Sequence, residues 1–518
     1  MTSTVILLEI DAVSPAGASV TLRFSDRAIR PFPPSDPDVA NLSWDDRLAE
    51  APTFRRALFG DLETLAPAVG AGALTLKNAD GGLDAYQGYA FNELRVYRWT
   101  EGTTFAAAQR LLKGLCILPA FDSRSSQAAT VRVDLYDYRA EQTRDVPTAL
   151  YAGTNDGVTI FYEGYPDGLK NRVRPQALGD LTDAHLPPVQ VNAGQYVFQL
   201  HDGLTQGSEA IFDGGAAAGY ADQGDKANAT FDATTPSAAS YITNLARGLV
   251  KINGSPVKGL TFGCKGDATG SYVETAGPIA ARLLALAGVP AGRIGASVAA
   301  LADAAVVGVY AGDASPAWDL IAWTVRGVLT AILPDRNGVY QAVTFAAPKP
   351  VADVTIAFDQ VLNLEPDEAS ALPIGEIRVG WGRIWTTFSS GELKDSVRST
   401  AAAERLADQY RWAKDEEATV KARFPRAWRT LTIETALRQE AAAIALVAKL
   451  KALFGLRADG TPRQMWRVTV RDGDGLTADL GATARLIYPP RGIDRNFVLV
   501  AEEPMRPRRD QAVWTLWG

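Results

Sequence analysis

The sequence predicts a β-rich α+β protein with several domains. Its 518 residues suffice for roughly three to four domains of ordinary size. Near both ends of the chain, apolar residues alternate with polar ones, a period of two that is typical of strands. Segments with helical periodicity lie in the middle and interrupt the C-terminal part. The chain therefore begins and ends in β-structure, with mixed material between.

Residues 1–150 are predicted to form a first β domain. In "TVRVDLYDY", Val131, Val133 and Leu135 alternate with polar residues, as strands do in a barrel or sandwich that buries one face. The proline-rich segment 30–56 is predicted to be a long excursion, because proline donates no hydrogen bond to a sheet.

The glycine-rich turn in "LTLKNADGGLDAYQGY" has the oxygen-bearing side chains of a calcium loop without the required spacing. Counted from Asn78, such a loop needs glycine at the sixth residue and glutamate at the twelfth, where this chain has Leu83 and Tyr89. The flanking segments have strand periodicity. Residues 80–82 (Asp-Gly-Gly) are therefore predicted to be a structural turn.

Residues 151–265 are predicted to be a loop-rich insertion, because they are rich in glycine, alanine, threonine and aspartate and show few periodicities. Within them, "QYVFQLHDGL" predicts a strand and a turn between Tyr196 and Gly203. Long segments of this kind are usually functional or interfacial.

Residues 266–348 are predicted to be a small mixed α/β domain. A first helix is predicted over 278–288, where proline begins it and glycine ends it. A second helix is predicted with Ser315 as N-cap and Pro316 as its first residue. The Asn-Gly pair at 337–338 predicts a hairpin.

Residues 349–518 are predicted to be a second β domain with a helical insertion at about 400–456. Strands are predicted in "IGEIRVGWGR", "MWRVTVRD", "GATARLIYPP", "NFVLVAEE" and "AVWTLWG". Helices are predicted at about 400–415 and 436–454, and the second has an apolar stripe, Ala443, Leu446, Val447, Leu450 and Phe454. The stripe indicates core packing; a helix that docks into the groove of a partner is the alternative.

No catalytic, cofactor-binding or metal-binding residue is predicted. The two histidines, His185 and His201, are interpreted as a loop residue and a turn residue. The chain has no HExxH, GxSxG, P-loop or GxGxxG motif, and "VGAGAL" has only one Gly-x-Gly pair. We therefore expect that the protein is not an enzyme.

Two acidic pairs, Asp45-Asp46 and Glu416-Glu417, are the remaining candidates for acid–base chemistry. Glycoside hydrolysis needs two carboxylates that flank one bond. Adjacent residues on a strand face opposite ways, so these pairs are interpreted as solvated surface.

Charge and cysteine content exclude further classes of function. The net charge is −7 and the pI about 5.2, so no basic field attracts nucleic acid, and the basic run 506–509 (Arg-Pro-Arg-Arg) is too short for a binding groove. Cys116 and Cys264 lack metal-ligand or redox spacing. Two buried thiols are predicted; a disulfide between them is the alternative.

The N-terminal "MTSTVILLEIDAV" has no basic segment before its short apolar run, so it predicts a first strand and not a signal peptide. The most apolar internal window, "PAWDLIAWTVRGVLTAILP", contains Asp319 and Arg326 and is not predicted to span a membrane. We expect a soluble product, made in the cytoplasm.

The order of several segments resembles one known family. The chain opens with "VILLEIDAVSPAGASVTLRFSDR", continues with "APTFRRALFG", "GALTLKNADGGLDAYQGYAFNELRVYRW" and "LLKGLCILPAF", and reaches "GLKNRVRPQALGDLTDAHLPPVQVNAGQYVFQLHDG" in its middle. It ends with "GLTADLGATARLIYPPRGIDRNFVLVAEEPMRPRRDQAVWTLWG". This order is similar to that of tail-tip or baseplate hub proteins of long-tailed bacteriophages, prophages and gene transfer agents.

The resemblance implies two tube-like β-barrel domains per chain and a homotrimer that continues the tail tube as a pseudo-sixfold ring. It implies a structural role at the tail tip of the virion, after assembly in the cytoplasm of the host bacterium. The implied partners are the distal tail protein or tail tube, the tape measure protein and receptor-binding or fibre proteins. Phage DNA would pass through the ring without specific binding. The glycine-rich turn would be a hairpin of a tube-like domain.

Two other functions compete with the structural one. The 11 Trp and 16 Tyr residues could stack on sugars, as in a carbohydrate-binding adhesin of the host surface. A cell-wall hydrolase is the third hypothesis, and it lacks a catalytic constellation in the sequence. No cofactor is expected for any of them.

Overall fold

A computed structural model describes residues 4–49, 52–117, 119–122, 129–155, 162–164, 168–367, 373–426, 428–457, 459–471, 478–503 and 511–518. By packing, the chain divides into two compact units. The sheet unit comprises Met1–Glu141, Ala331–Pro373 and Leu453–Gly518, and the mixed unit comprises Gln142–Thr330 and Ile374–Ala452. The protein is β-rich and multidomain, which confirms that part of the predicted fold class.

The strands up to residue 225 are β1 (Thr4–Val13), β2 (Ser19–Ser25), β3 (Asp45–Asp46), β4 (Thr53–Ala57), β5 (Ala71–Lys77), β6 (Ala90–Thr100), β7 (Gln109–Cys116), β8 (Ala120–Asp122), β9 (Thr130–Tyr136), β10 (Asp145–Val146), β11 (Gln176–Gly179), β12 (Gln190–Asn192), β13 (Val197–Gln199), β14 (Thr205–Asp213), β15 (Ala216–Ala217) and β16 (Ala221–Asp225). The later strands are β17 (Ser240–Asn244), β18 (Leu249–Asn253), β19 (Leu260–Asp267), β20 (Gly308–Ala311), β21 (Ser315–Pro316), β22 (Thr330–Pro334), β23 (Tyr340–Thr344), β24 (Val354–Ile356), β25 (Val361–Asp367), β26 (Ile374–Trp381), β27 (Arg411–Glu416), β28 (Arg429–Glu434), β29 (Met465–Arg471), β30 (Thr483–Tyr488), β31 (Ile493–Glu503) and β32 (Gln511–Trp517).

The α-helices are short, with one exception near the C-terminal end of the mixed unit. They are α1 (Asn228–Ala233), α2 (Ala276–Leu286), α3 (Ala296–Ala299), α4 (Ala317–Arg326), α5 (Asp395–Arg398), α6 (Ala401–Ala407), α7 (Ala418–Arg423) and α8 (Glu440–Phe454).

One large sheet organises the sheet unit. Its strand order is β25-β29-β32-β31-β4-β5-β9-β7-β6-β1-β2-β3, with β24 beside β30, β30 beside β31 and β8 beside β9. The N-terminal strands β1–β9 join the C-terminal strands through the pairing of β4 with β31, where Ala57 faces Ala501 and Arg56 faces Glu502. Over the described residues this order has two free ends and does not close into a barrel, so the two tube-like β-barrel domains implied by the resemblance are not observed.

Strand β1 is buried on both faces, which explains its nearly continuous apolar sequence. Ile6 and Leu8 pack into the core with the other N-terminal strands. Leu7 faces a second cluster, to which the proline-rich segment contributes Phe32 and Trp44. That segment forms no strand between Ser25 and Asp45, and it covers this second face with aromatic side chains.

The mixed unit is built from several small sheets. One has the order β12-β13-β18-β17-β16, another β15-β14-β19, and a third β27-β26-β28. Residues 151–265, predicted to be a loop-rich insertion, contain the strands β11 to β18 and most of β19. These strands are mostly three to five residues long, too short to show a clear period of two.

Strand β26, which carries "IGEIRVGW", pairs with β27 and β28 in the mixed unit. The sequence groups it with the C-terminal strands. Its two neighbours are separated from it along the chain by helices, so its pairing cannot be read from local pattern.

The predicted helices differ from the observed ones at their ends. Residues 411–416 are β27 and not helix, because they pair with β26. The helix predicted from 436 begins at Glu440, since the Thr435 hydroxyl donates to Gly380 O and Arg438 N donates to Val306 O. Pro316 is extended and belongs to β21, so the helix predicted to start there begins at Ala317.

Several expectations are confirmed. Val131, Val133 and Leu135 are buried on one face of β9. The Asn-Gly pair at 337–338 connects β22 and β23, with Gly338 at φ +78°. The apolar stripe of α8 is buried at Ala443, Leu446, Val447 and Leu450, which favours core packing over a docking helix.

Candidate functional site

The junction of β4 with β31 contains a buried arginine, Arg56. Its Nε donates to Glu502 Oε1 at 2.8 Å, and its Nη1 donates to the carbonyl of Pro334 at 3.2 Å. Its Nη2 donates to Asp479 Oδ1 and, at 2.5 Å, to Glu502 Oε1. The guanidinium thereby connects an N-terminal strand with three segments from the C-terminal half of the chain.

A second arginine completes the charge balance of this junction. Arg336 Nη2 donates to Glu502 Oε2 at 2.9 Å and to the carbonyl of Ala478 at 2.9 Å. The Glu502 side chain is fully buried, and its two carboxylate oxygens bind the guanidinium groups of Arg56 and Arg336. Burial lowers the pKa of Arg56, and the carboxylates of Glu502 and Asp479 outweigh that effect and raise it. The network holds the two strand groups together only while every member is paired.

A second buried ion pair, Arg139 with Asp137, lies beside β4. Arg139 Nε donates to Asp137 Oδ2 at 2.9 Å, and its Nη1 donates to the carbonyl of Ala57 at 3.2 Å. Asp137 Oδ2 also accepts from Gly70 N at 2.8 Å. In "VGAGAL", a Cβ on Gly72 would lie 1.9 Å from the carbonyl oxygen of Thr53. The glycine at position 72 thus permits close approach of β5 to β4.

The glycine-rich turn before β6 is held by its own side chains. Asn78 Oδ1 accepts from Leu83 N, and Asn78 Nδ2 donates to Asp84 Oδ1, each at 2.8 Å. Asp80 pairs with Arg47 at 2.8 Å, so its carboxylate is engaged by the protein. These bonds agree with the interpretation as a structural turn. The turn connects β5 with β6, however, and these strands are not neighbours in the sheet, so the expected hairpin is wrong. Among the described residues, no cluster of histidine, cysteine or acidic side chains could hold a metal ion.

Both histidines are buried and lie in the mixed unit. His185 Nδ1 lies 3.0 Å from the Thr261 hydroxyl, and His201 Nδ1 accepts from Ala177 N at 3.1 Å. Burial lowers the pKa of His185 and of His201 to about 4, so both rings are neutral at pH 7. They act as packed, hydrogen-bonded core residues.

The acidic pairs are bound separately by lysines. Asp46 pairs with Lys77 at 2.7 Å, while Asp45, its neighbour, is exposed. Glu416 pairs with Lys421 at 2.9 Å, and Glu417 pairs with Lys451 at 3.3 Å. The structure therefore brings neither pair into a shared site.

Cys116 and Cys264 are buried free thiols, as predicted. Burial raises the pKa of Cys116 to about 12 and the pKa of Cys264 further still. The basic run 506–509 lies outside the described residues. In the part of the chain that the structure describes, no helix has the length and apolar character needed to cross a bilayer.

A cluster of aromatic side chains around Arg383 lies in the mixed unit. The guanidinium lies 5.4 Å from the ring centre of Trp323, 5.1 Å from that of Trp385 and 5.9 Å from that of Tyr410. Trp412, on β27, lies 5.9 Å from Tyr410 and is 38% exposed. This aromatic cluster, defined as Trp323, Arg383, Trp385, Tyr410 and Trp412, combines stacking faces with a fixed cation.

The buried arginine of the junction was not predicted from the sequence. A signal was present: in "TFRRAL", Phe54 and Arg56 share one face of a strand, while Arg55 faces the other way. A cation on the apolar face of a strand requires a buried carboxylate partner. Glu502, however, lies 446 residues further along the chain, and no local pattern connects the two.

No protein-family model matches the sequence, and no curated protein matches it. Among solved structures, the chain is similar to the tail protein from Neisseria meningitidis MC58, with 10% identity and a TM-score of 0.42 over 98% of this chain and 96% of that one. It is similar to the 43 kDa tail protein of prophage MuSo2 from Shewanella oneidensis, with 10% identity and a TM-score of 0.36 over 98% and 97% of the two chains. It is also similar to the prophage tail protein gp18 from Listeria monocytogenes EGD-e, with 10% identity and a TM-score of 0.34 over 100% and 94%. These three similar structures are tail proteins, and two of them come from prophages.

Proposed function

We propose that the protein is a structural hub of a phage tail tip or baseplate. Three copies would form a ring that continues the tail tube, surrounds the path of the DNA and anchors receptor-binding or fibre proteins. The distal tail protein or tail tube and the tape measure protein would be its neighbours. The order of the sequence segments supports this proposal, since it resembles that of hub proteins.

The observation that carries the proposal is the junction of β4 with β31. Two groups of strands from opposite ends of the chain lie side by side in one sheet. Each group would supply one tube-like domain, so that three chains present six such domains to a sixfold tube. A buried network of Arg56, Glu502 and Arg336 suits this arrangement, because it fixes the two groups relative to each other.

A ring that passes a polyanion works best without affinity for it. Every contact between a lysine or arginine and a phosphate releases counterions and adds affinity that must later be undone. The net charge of −7 per chain supports a channel that is neutral to acidic. We expect the assembled ring to bind duplex DNA neither tightly nor in a salt-sensitive way.

Electron microscopy of the parent particle, with the chain labelled by an antibody, tests the proposed location. The label is expected at the distal end of the tail, beyond the tube. A label along the tail shaft, on the head or absent from the virion would contradict a hub role.

A second function, binding of host-surface glycans, is favoured by the aromatic cluster of the mixed unit. Trp412 presents an exposed ring on β27, and Arg411 lies 4.7 Å from the ring centre of Trp381 on the neighbouring strand β26. Exposed tryptophan faces stack on sugar rings, and neighbouring arginines can donate to sugar hydroxyls. This function would add to the structural role.

A glycan array with the whole chain tests this second function, with Trp412→Ala as the variant. Trp428→Ala is the control, because Trp428 directly precedes β28, which lies on the opposite side of β26 from β27. If Trp412→Ala loses binding and Trp428→Ala retains it, the sugar binds at the aromatic cluster. Absence of binding by the unmodified chain, or binding that survives Trp412→Ala, would exclude it.

A further inference from the structure

A cleft in the sheet unit is lined by five cationic side chains. Its volume is about 600 Å³, within the range of sites for small ligands, and one of its walls is the segment 347–350, which contains two prolines. The cations are Lys349, Arg457, Arg463, Arg485 and Arg495. We call this feature the basic cleft.

The carboxylates near the basic cleft neutralise only part of this charge. Asp494 is on the wall and binds Arg485 through two bonds of 2.7 and 2.9 Å. Asp353 binds Lys349 at 3.0 Å. Two of the five cations are thereby paired within the protein.

Two other arginines of the cleft have no carboxylate within ion-pair distance among the described residues. Arg457 donates from Nη2 to the carbonyl of Pro462 at 2.8 Å, while its buried Nε and Nη1 make no hydrogen bond within the described part of the chain. Arg495 lies over the ring of Phe497 at 5.0 Å, and its buried Nε likewise has no hydrogen bond there. Buried donors without a partner cost free energy, which a bound anion would recover.

Repulsion between Arg457 and Arg463 also favours an anion in the basic cleft. Burial lowers the pKa of Arg463, and the neighbouring charge of Arg457 lowers it further. Burial also lowers the pKa of Arg457, an effect that Asp459 opposes. The Arg463 guanidinium lies 5.1 Å from the ring centre of Trp517. This contact holds Arg463 in place despite the neighbouring charge of Arg457.

We propose that the basic cleft binds a phosphate group. The planar guanidinium fork matches the oxygens of phosphate, and one phosphate carries between one and two negative charges near neutral pH. One phosphate can therefore bind more than one guanidinium, whereas a side-chain carboxylate carries a single charge. Free phosphate, phosphate esters and phospholipid headgroups share this chemistry. The proposal is independent of the hub role, and it concerns a local site and not a belt of charge around a channel.

Calorimetric titration of the whole chain with inorganic phosphate, at low ionic strength and constant pH, tests the site. Binding is expected to weaken by about tenfold or more in Arg457→Gln, because each charge-assisted bond contributes that much. Arg495→Gln, on another part of the wall, is expected to weaken it as well. Arg132→Gln is the matched control, since Arg132 is 66% exposed and pairs with Asp134 in the same unit. Thermal melting of each variant verifies that it is folded.

Parallel titrations identify the source of the phosphate. Glucose 6-phosphate that binds more tightly than inorganic phosphate would point to an ester, and vesicles with phosphatidic acid that bind only the unmodified chain would point to a headgroup; both outcomes support the cleft. Equal binding of phosphate by all variants, or none by the unmodified chain, would overturn the proposal. The proposal would also be overturned if hexaglutamate or duplex DNA bound the chain and inorganic phosphate did not displace it.

Discussion

The sheet unit and the mixed unit differ in the groups that bind their buried polar side chains. In the sheet unit, charges are buried in pairs: Arg56 with Glu502, and Arg139 with Asp137. The mixed unit has buried ion pairs as well, such as Asp213 with Lys394, but several of its buried polar side chains bind the backbone instead. Lys251, for example, donates from Nζ to three main-chain carbonyls at the C-terminal end of α1.

This difference follows from the length of the strands. Long strands such as β1, β6 and β31 satisfy their own backbone groups in the sheet. The buried charges of Arg56 and Glu502 therefore bind each other across the junction of the two strand groups and not the backbone ends of strands. Short strands and short helices leave many backbone groups at their ends, and side chains must satisfy them. We therefore expect the two units to respond differently to the loss of one polar group.

The largest effect is expected in the sheet unit, for Glu502→Ala. The change leaves Arg56 buried with only Asp479, which is half exposed, as a carboxylate partner. Breaking a buried ion pair by removing one member costs about 3–5 kcal/mol. The free energy of unfolding of this unit should fall by that amount, as measured by hydrogen exchange of its peptides in a urea series.

The control for this change lies on the same strand. Asp494, also on β31, is exposed and pairs with Arg485, another surface residue. Asp494→Ala should have a far smaller effect on hydrogen exchange. Equal effects of the two substitutions would mean that the junction is not held by its buried charges.

A smaller loss is expected in the mixed unit for Lys251→Met. Methionine keeps the apolar contact with Phe231 but removes the bonds to the carbonyls of Phe231, Asp232 and Thr234. Hydrogen bonds to a charged group contribute about 1.5–3 kcal/mol. Exchange of the amides of α1 should accelerate accordingly, while Lys449→Met, an exposed control, should leave it unchanged. No change in Lys251→Met would contradict the role of this lysine.

Acidification should also distinguish the units, because both histidines of the chain are in the mixed unit. Burial lowers the folded-state pKa of His201 to about 4, below the ordinary value of 6.5. The unfolded chain therefore binds more protons between these values, and stability falls as pH falls, by roughly 1.4 kcal/mol per pH unit for each histidine. The free energy of unfolding, obtained from denaturation curves at several pH values, should fall less steeply between pH 6.5 and 4 in His201→Asn than in the unmodified chain.

Glu209 opposes this trend. Burial raises its pKa to about 7, so the folded chain binds more protons there and gains stability as pH falls from 7 to 4.5. Glu209→Gln should therefore steepen the acid loss of the mixed unit. A slope that neither substitution changes would show that other groups control the pH dependence.

The same contrast explains what could be predicted from the sequence. Long alternating strands such as β9 are visible as a period of two, and the glycine-rich turn could be assigned because its spacing fails the calcium pattern. Among the strands β11 to β19, β13 was predicted and the others were not, since most of them have only two to five residues and carry too little periodicity. The predicted start of α8 was too early, because the preceding segment binds a distant strand: the Thr435 hydroxyl donates to the carbonyl of Gly380 on β26.

The candidate sites were less predictable than the fold, because they join residues distant in sequence. Arg56 and Glu502 meet only after both ends of the chain enter one sheet. The basic cleft combines segments near Lys349, Arg457 and Arg495, none of which forms a basic run. Local composition gave no indication of either.

The central claim is that one chain supplies two strand groups to a threefold ring. Mass photometry of purified tail tips, before and after release of this chain, measures it most directly by counting copies of the 55.3 kDa chain. The account predicts three copies per tip. Isolated protein can be monomeric without contradicting this result, because a subunit that folds alone can require its neighbours to associate. Six copies, or one, would contradict the account.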